Sequence, residues 1–306
     1  MDFFTIASQM LSLFFIMAVG YIMYKVHVID DAATVRYTRL VMNIALPAQI
    51  ITSFIDSRGV VSNREVVEVF GVSIFCCIIY ALVAAVFMVA LRVPKEEKGM
   101  YWYMSLFSNV GFMGFPVITT IFGEGALIYA VIFNVVFNVL VYSVGIMLVS
   151  GGKEDYQFNP KLLLNIPFIS SILSVLLFFI GIKLPAPLRT SLGYMGNIMT
   201  PVAMLILGAT IAAMPMRELF GDWRVYVFTV FRLAVIPLTV LAVLRGLHLS
   251  TPLVRGVMII LAAMPVATNA TMLAIQYDGD RQLASKGIFF STILSVITIP
   301  IITMFC

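Results

Sequence analysis

Ser108-Asn109-Val110-Gly111-Phe112-Met113-Gly114-Phe115-Pro116 lies in the middle of an apolar run, Tyr101 to Phe122, that is long enough to cross a bilayer. A simple anchor would carry leucine at these positions. Proline removes a backbone donor and its ring clashes with the preceding turn. The spacing therefore predicts a helix that opens just before Pro116 and restarts with the proline in its first turn. A second run, Leu253 to Tyr277, carries the same kind of interruption at Ala263-Met264-Pro265-Val266-Ala267-Thr268-Asn269. Here Thr268 or Asn269 is expected to cap the restarted helix, because short polar side chains accept from free first-turn amides. Opened backbone in hydrocarbon costs several kcal/mol per unsatisfied group, so it persists only where protein or a wet cavity supplies partners. Two breaks at matching depth imply a cavity. Proline kinks in ordinary packed helices are the alternative.

Outward from these breaks the chain repeats itself. Asn43-Ile44-Ala45-Leu46-Pro47 recurs as Asn197-Ile198-Met199-Thr200-Pro201 at an offset of 154 residues, and Asn134 and Asn138 recur as Ser291 and Ser295 at an offset of 157. Ten apolar spans are read, at about 3–24, 37–55, 66–91, 101–122, 126–149, 161–181, 191–213, 223–246, 253–277 and 285–305. Five spans per half is an odd number, so the second copy enters the bilayer from the opposite face. Inverted copies with broken central helices are the mark of a secondary transporter. The expected fold class is an all-α integral membrane protein of ten transmembrane helices, arranged as two inverted five-helix repeats, residues 1–150 and 160–306, with helices 4 and 9 broken and crossed.

Composition agrees with a membrane chain. Hydrophobic residues are 61% of the 306 and charged residues 11%, against roughly 45–50% and about 25% in soluble domains. The lipid bilayer is thus the expected surrounding partner. The net charge of +4 is scattered through loops, so no nucleic-acid patch is expected. The three cysteines, Cys76, Cys77 and Cys306, have neither a disulfide nor a metal spacing, and no cofactor or metal is expected. Phe3 to Tyr24 is read as a retained first span, since no basic segment precedes it. Loops after the odd-numbered spans hold twelve basic residues and the opposite face six. That bias places both termini outside the cytoplasmic membrane.

The chemistry follows from the breaks. Spans 4 and 9 run in opposite directions, so their restarted halves point N-termini at each other. Each terminus carries roughly half a positive charge and free amides. A carboxylate is the expected guest, with Asn109, Thr268 and Asn269 hydrogen-bonding it, Gly111 and Gly114 admitting it close to the backbone, and Pro116 and Pro265 holding the breaks. Asn134, Asn138 and Tyr142 share one helical face, as do Ser291, Ser295 and Thr298; these stripes either line the cavity or bond neighbouring helices. Asn43 and Asn197 either bond the carbonyl freed by the proline four residues on or face the pocket. Gly193, Gly196 and Gly208 are expected to allow close helix packing. Arg232 is the one charge clearly inside a span, either a counter-ion for the carboxylate or a snorkelling side chain. No acidic residue lies deep in a span, which leaves proton symport without a carrier. An enzyme would need paired catalytic groups, and none is present.

Together the Asn-x-x-x-Pro second span, the segment Ser108 to Pro116 and the segment Met264 to Asn269 resemble the auxin efflux carrier family in its short bacterial form, which includes malate and malonate permeases. The resemblance spans nearly the whole chain. It implies crossed spans 4 and 9 within a moving transport part, spans 3–5 and 8–10, and a scaffold of spans 1, 2, 6 and 7 that forms a homodimer. The family's crossover residues carry over to Asn109, Gly111, Gly114, Pro116, Pro265, Thr268 and Asn269, and a pocket-side asparagine of span 7 to Asn197. Two departures stand out: span 4 lacks the plant carriers' Asn-Pro-Asn, and residues Ser150 to Pro160 replace their long central loop. The expected function is therefore transport of a small organic anion other than auxin by alternating access, as efflux or uniport. A sodium-coupled symporter of the bile-acid type is the alternative.

Overall fold

The computed structural model describes residues 3–57, 61–150, 164–182, 184–215 and 219–305. Twelve helices among them carry the account: α1 (Phe3–Lys25), α2 (Asp31–Asp56), α3 (Asn63–Ala90), α4 (Lys95–Leu106), α5 (Val110–Phe122), α6 (Glu124–Val149), α7 (Ile166–Ile180), α8 (Ala186–Ala213), α9 (Trp223–Gly246), α10 (Pro252–Ala263), α11 (Asn269–Gln276) and α12 (Arg281–Thr303). Among the described residues seven of them are long and apolar enough to cross a membrane, and α5, α7 and α10 are shorter apolar helices. The chain is an all-helical membrane protein. Most of the central loop read at Ser150 to Pro160, the charges at Lys153, Lys161, Arg58, Lys183 and Arg217, and Cys306 lie outside the described residues.

Caps set where several helices begin. Asp30 accepts from the Ala33 amide at 2.6 Å, so the second span starts at Asp31 and not near residue 37. Asn165 accepts from Phe168 at 3.0 Å and starts α7 at Ile166, while Asp280 accepts from Leu283 at 2.8 Å and starts α12. Each satisfies an amide that has no carbonyl one turn back.

Prolines inside the spans are accommodated in a way the sequence does not announce. Three of the four five-residue π-turns among the described residues, Val41–Ala45, Val110–Gly114 and Phe231–Val235, stop directly before an X-Pro pair, whose prolines are Pro47, Pro116 and Pro237; the fourth, Val141–Gly145, precedes none. A proline ring collides with the carbonyl four residues back, and a π-turn widens the helix there so that the collision is avoided. The helix goes round the proline without opening. Pro201, the repeat's counterpart of Pro47, is met differently: the helix is interrupted at Ile198 and resumes at Met199.

The described chain divides into two compact units, each drawing on both sequence halves. In the first, residues 1–70, 111–135 and 164–213, α1 lies against α8 with backbone touching backbone. A Cβ placed on Gly208 would sit 1.9 Å from the Met17 carbonyl oxygen, and one on Gly20 2.2 Å from that of Leu205. Gly196 is likewise tight, 3.1 Å from the Gln49 backbone. Gly193 is not, since a Cβ there meets nothing within 4 Å, so the packing role expected of it does not hold. In the second unit, residues 71–110, 136–163 and 214–306, Phe87, Tyr101, Phe228 and Phe231 form an aromatic cluster, with the Phe87 and Phe231 rings 4.2 Å apart.

Candidate functional site: the crossing of two broken helices

Span 4 breaks, but earlier than its proline suggests. Helix α4 ends at Leu106, Phe107 is extended (φ −111°, ψ 110°), and the chain re-enters helical form at Val110. Pro116 therefore sits in the first turn of the α-helical part of α5, as expected, yet the opening just before it is absent because the π-turn absorbs the ring. In span 9 the opening is at the proline itself: α10 ends at Ala263, Met264 is extended, and α11 begins at Asn269. The two prolines do different work.

The two extended links pair. Ser108 faces Val266 in an antiparallel bridge, the Asn109 amide donates to the Pro265 carbonyl at 2.8 Å, and the Ala267 amide donates to the Phe107 carbonyl at 3.1 Å. The rest of the opened backbone is met by side chains. Ser108 Oγ donates to the Leu261 carbonyl at 3.2 Å, Ser291 Oγ accepts from the Val266 amide at 3.0 Å, and Arg232 Nη1 donates to the Ala262 carbonyl at 2.8 Å. Buried backbone groups must be paired, and here each break supplies much of what the other lacks.

Several expectations are revised by this geometry. Thr268 occupies the position before α11 but makes no side-chain cap bond. Asn269 does not cap either: its Oδ1 accepts from the Tyr103 hydroxyl at 2.9 Å, which turns its amide nitrogen elsewhere. Ser291 and Ser295 are fully buried, and Ser291 bonds the link. Arg232 does not snorkel. It is 0% exposed and lies at the open carbonyl end of α10, where a helix carries partial negative charge. Tyr103 and Ser108 carry these contacts without any signal in the sequence beyond their polarity inside a span.

What remains unpaired is informative. Asn109 is 3% exposed and its Nδ2 has no hydrogen-bond partner among the described residues. Arg232 Nε and Nη2 are in the same condition. The Val110 and Ala270 amides, by contrast, are held by the Ser108 carbonyl at 2.8 Å and the Ala267 carbonyl at 3.1 Å. Thr268 and Asn269 are half-buried, and a Cβ placed on Gly111 meets nothing within 4 Å, so there is room beside that backbone.

Other candidates fall elsewhere. Asn138 is half-buried in the second unit, with Ser295. The first unit holds Gly111, which follows Asn109 and Val110 directly, and Gly114, Pro116 and Asn134, which are buried. Also in the first unit, Asn43 is exposed and Asn197 lines a cavity of about 450 Å³ with Gln49, Ser53, Asp56, Glu124 and Arg189.

Replacing Ser291 with alanine strands the Val266 amide. A buried donor left without a partner costs about 1–3 kcal/mol, so Ser291→Ala should lower the thermal unfolding midpoint of the detergent-purified protein by a few degrees. An unchanged midpoint would remove Ser291 from the link.

Comparison with known proteins gives a consistent picture. The family described as "Membrane transport protein" matches residues 5–303. An "Uncharacterized transporter" of Methanothermobacter thermautotrophicus is 28% identical, covering 96% of each chain. A protein of Rhizobium meliloti named "Putative malonate transporter" is 24% identical over 72% of this chain and 71% of its own. The "Uncharacterized transporter YfdV" of Escherichia coli is 23% identical over 96% and 95%.

Proposed function

The chain belongs to the membrane transport protein family, that of the auxin efflux carriers, and from that premise we propose that it carries a small carboxylate across the membrane, bound at the helix crossing. It is a transporter and not an enzyme. One observation carries the choice of substrate: Asn109 Nδ2 is a buried donor without an acceptor at the head of a half-helix. A carboxylate oxygen supplies that acceptor and is favoured by the helix-end charge. Asn269, oriented by Tyr103, adds a further donor. Arg232 contributes positive charge from behind the Ala262 carbonyl. The malonate in one relative's name agrees with a small carboxylate.

In this reading Gly111 and Gly114 leave the backbone open to the anion, Pro265 holds the half-helices of its span apart, Pro116 sits in the first α-helical turn of α5, and Asn134, Asn138 and Ser295 shape the surroundings. Ser291 keeps the link in place. Ten spans in two inverted repeats, residues 1–150 and 160–306, give the topology. Residues that this topology puts at one end of the spans do meet: Arg189 pairs with Asp56 at 2.7 Å, the Tyr129 hydroxyl donates to Glu65 at 2.7 Å, and Arg245 bonds the Phe305 carbonyl. At the other end Glu97 lies near Asp222, Arg224 and Asp280. These meetings support the alternation of faces. We assign α1, α2, α7 and α8 to a scaffold of spans 1, 2, 6 and 7 through which two copies pair; they share one compact unit, together with residues 111–135 of α5 and α6.

The protein sits in the cytoplasmic membrane with both termini outside, and alternating access moves the anion outward. Export of one negative charge along an inside-negative potential releases about 2.3 kcal/mol per 100 mV, enough to run without a coupling ion. The test is tracer flux in proteoliposomes over a panel of mono- and dicarboxylates, malonate included, with voltage, pH and sodium varied one at a time. Voltage-dependent flux of one carboxylate without sodium fits the proposal. Flux that needs sodium selects the symporter, and transport of neutral or cationic solutes alone overturns the site.

A further inference from the structure

The cavity of the first unit has the wrong chemistry for an anion. Its wall includes a polar face of α2, Gln49, Ser53 and Asp56, which lie at successive turns of one side of the helix. Gln49 and Ser53 are each only 6% exposed, and Gln49 Oε1 and Ser53 Oγ are buried without a hydrogen-bond partner. The Gln49 amide is directed at the Glu124 carboxylate, so its oxygen is left over as an acceptor. Glu124 also lines the space. Among the described residues the one basic group in the wall, Arg189, is already held by Asp56: Nε at 2.8 Å and Nη2 at 2.7 Å, both to Oδ1. That pair cancels, and among the described residues the lining keeps one excess negative charge, that of Glu124.

Two buried oxygens without a donor, Gln49 Oε1 and Ser53 Oγ, cost free energy unless something bonds them. A set made of an amide oxygen, a hydroxyl and a carboxylate, with the guanidinium engaged, calls for a positively charged donor. We infer that this cavity binds a monovalent cation, either a partly hydrated alkali ion or the ammonium head of a small amine. Oxygen ligands of this kind suit a hard ion, and three acceptors match the three N–H bonds of an ammonium group. At about 450 Å³ the space holds either with some of its water. Gly193 forms open floor, since a Cβ on it meets nothing within 4 Å. The inference is independent of the carboxylate site, because none of these residues takes part in the helix crossing.

The test uses the full chain in detergent, at constant ionic strength, with tetramethylammonium chloride as the baseline because that ion has charge but no N–H and is bulky. Sodium, potassium and methylammonium chloride are each titrated against it while thermal unfolding is followed. The expected result is a saturable rise of about 2 °C or more for sodium or potassium, if the site takes an alkali ion, or for methylammonium, if it takes an amine. Ser53→Ala and Glu124→Gln should abolish the rise, and Gly193→Leu should do so by filling the floor while keeping the baseline midpoint. Equal midpoints in all four salts, or an ion-specific rise that survives in these variants, overturns the site.

Discussion

Gly208→Val should leave no folded protein. A Cβ at this position would lie 1.9 Å from the Met17 carbonyl oxygen and 2.7 Å from the Tyr21 nitrogen, both backbone atoms that cannot rotate away. Gly20 meets the Leu205 carbonyl at 2.2 Å from the other side of the same contact, so α1 and α8 are pressed together by reciprocal glycines. Inside a bilayer the apolar driving force between helices is absent, and close van der Waals packing supplies much of the attraction. Forcing the helices apart removes that packing along a whole face. Size-exclusion chromatography of the fluorescently tagged protein reads the outcome: the monodisperse peak is lost in Gly208→Val and in Gly20→Val. Gly193→Val is the internal control, because open space surrounds it. A normal peak for Gly208→Val would mean that the helices do not pack this way.

Asn109→Asp is expected to have the opposite profile, with folded protein intact and flux lost. The substitution changes one atom group in almost the same volume. It removes the unpartnered Nδ2 donor and sets a negative charge where the substrate carboxylate is meant to lie. The backbone amide that bonds Pro265 is untouched, and a carboxylate before a helix start is a good cap. Stability should hold. A hydrogen bond to a charged group is worth about 1.5–3 kcal/mol, so its loss alone lowers carboxylate flux about 10- to 100-fold, and charge repulsion adds to this. Proteoliposome flux and the thermal midpoint, measured on the same preparation, separate the two effects. Wild-type flux in Asn109→Asp takes this side chain out of the pathway.

Much of this arrangement is readable from residues alone, for a physical reason: hydrocarbon forgives so little that each polar or helix-breaking residue in a span must be explained. Asn109, Pro265 and Ser291 stand out on those grounds, and the crossing brings them together. The place of the first break does not show, because Pro116 is the strongest breaker in its span while the π-turn before it hides its effect. Sequence has no signal for a widened turn, so the opening moved to Phe107–Asn109 unannounced. Thr268 or Asn269 suits a cap in isolation, but Thr268 makes no cap bond and Tyr103, far away in the chain, takes Asn269 instead. Arg232 could be placed inside a span but not assigned a partner, since its acceptor is a carbonyl exposed only by the other helix's end. Gly20 carried no mark at all, and only the approach of Leu205 makes it necessary.

The central claim is that a carboxylate lies against the opened backbone at the crossing, and a reporter placed beside that backbone tests it most directly. In a background with Cys76, Cys77 and Cys306 replaced by alanine, Gly111→Cys sets a thiol into space where a Cβ meets nothing within 4 Å. Its rate of alkylation by a small methanethiosulfonate is then measured with and without a saturating carboxylate that the protein transports, and with the corresponding neutral amide. The carboxylate is expected to slow alkylation several-fold, and the amide is not. Equal rates under all three conditions, in protein that still transports the carboxylate, would contradict it.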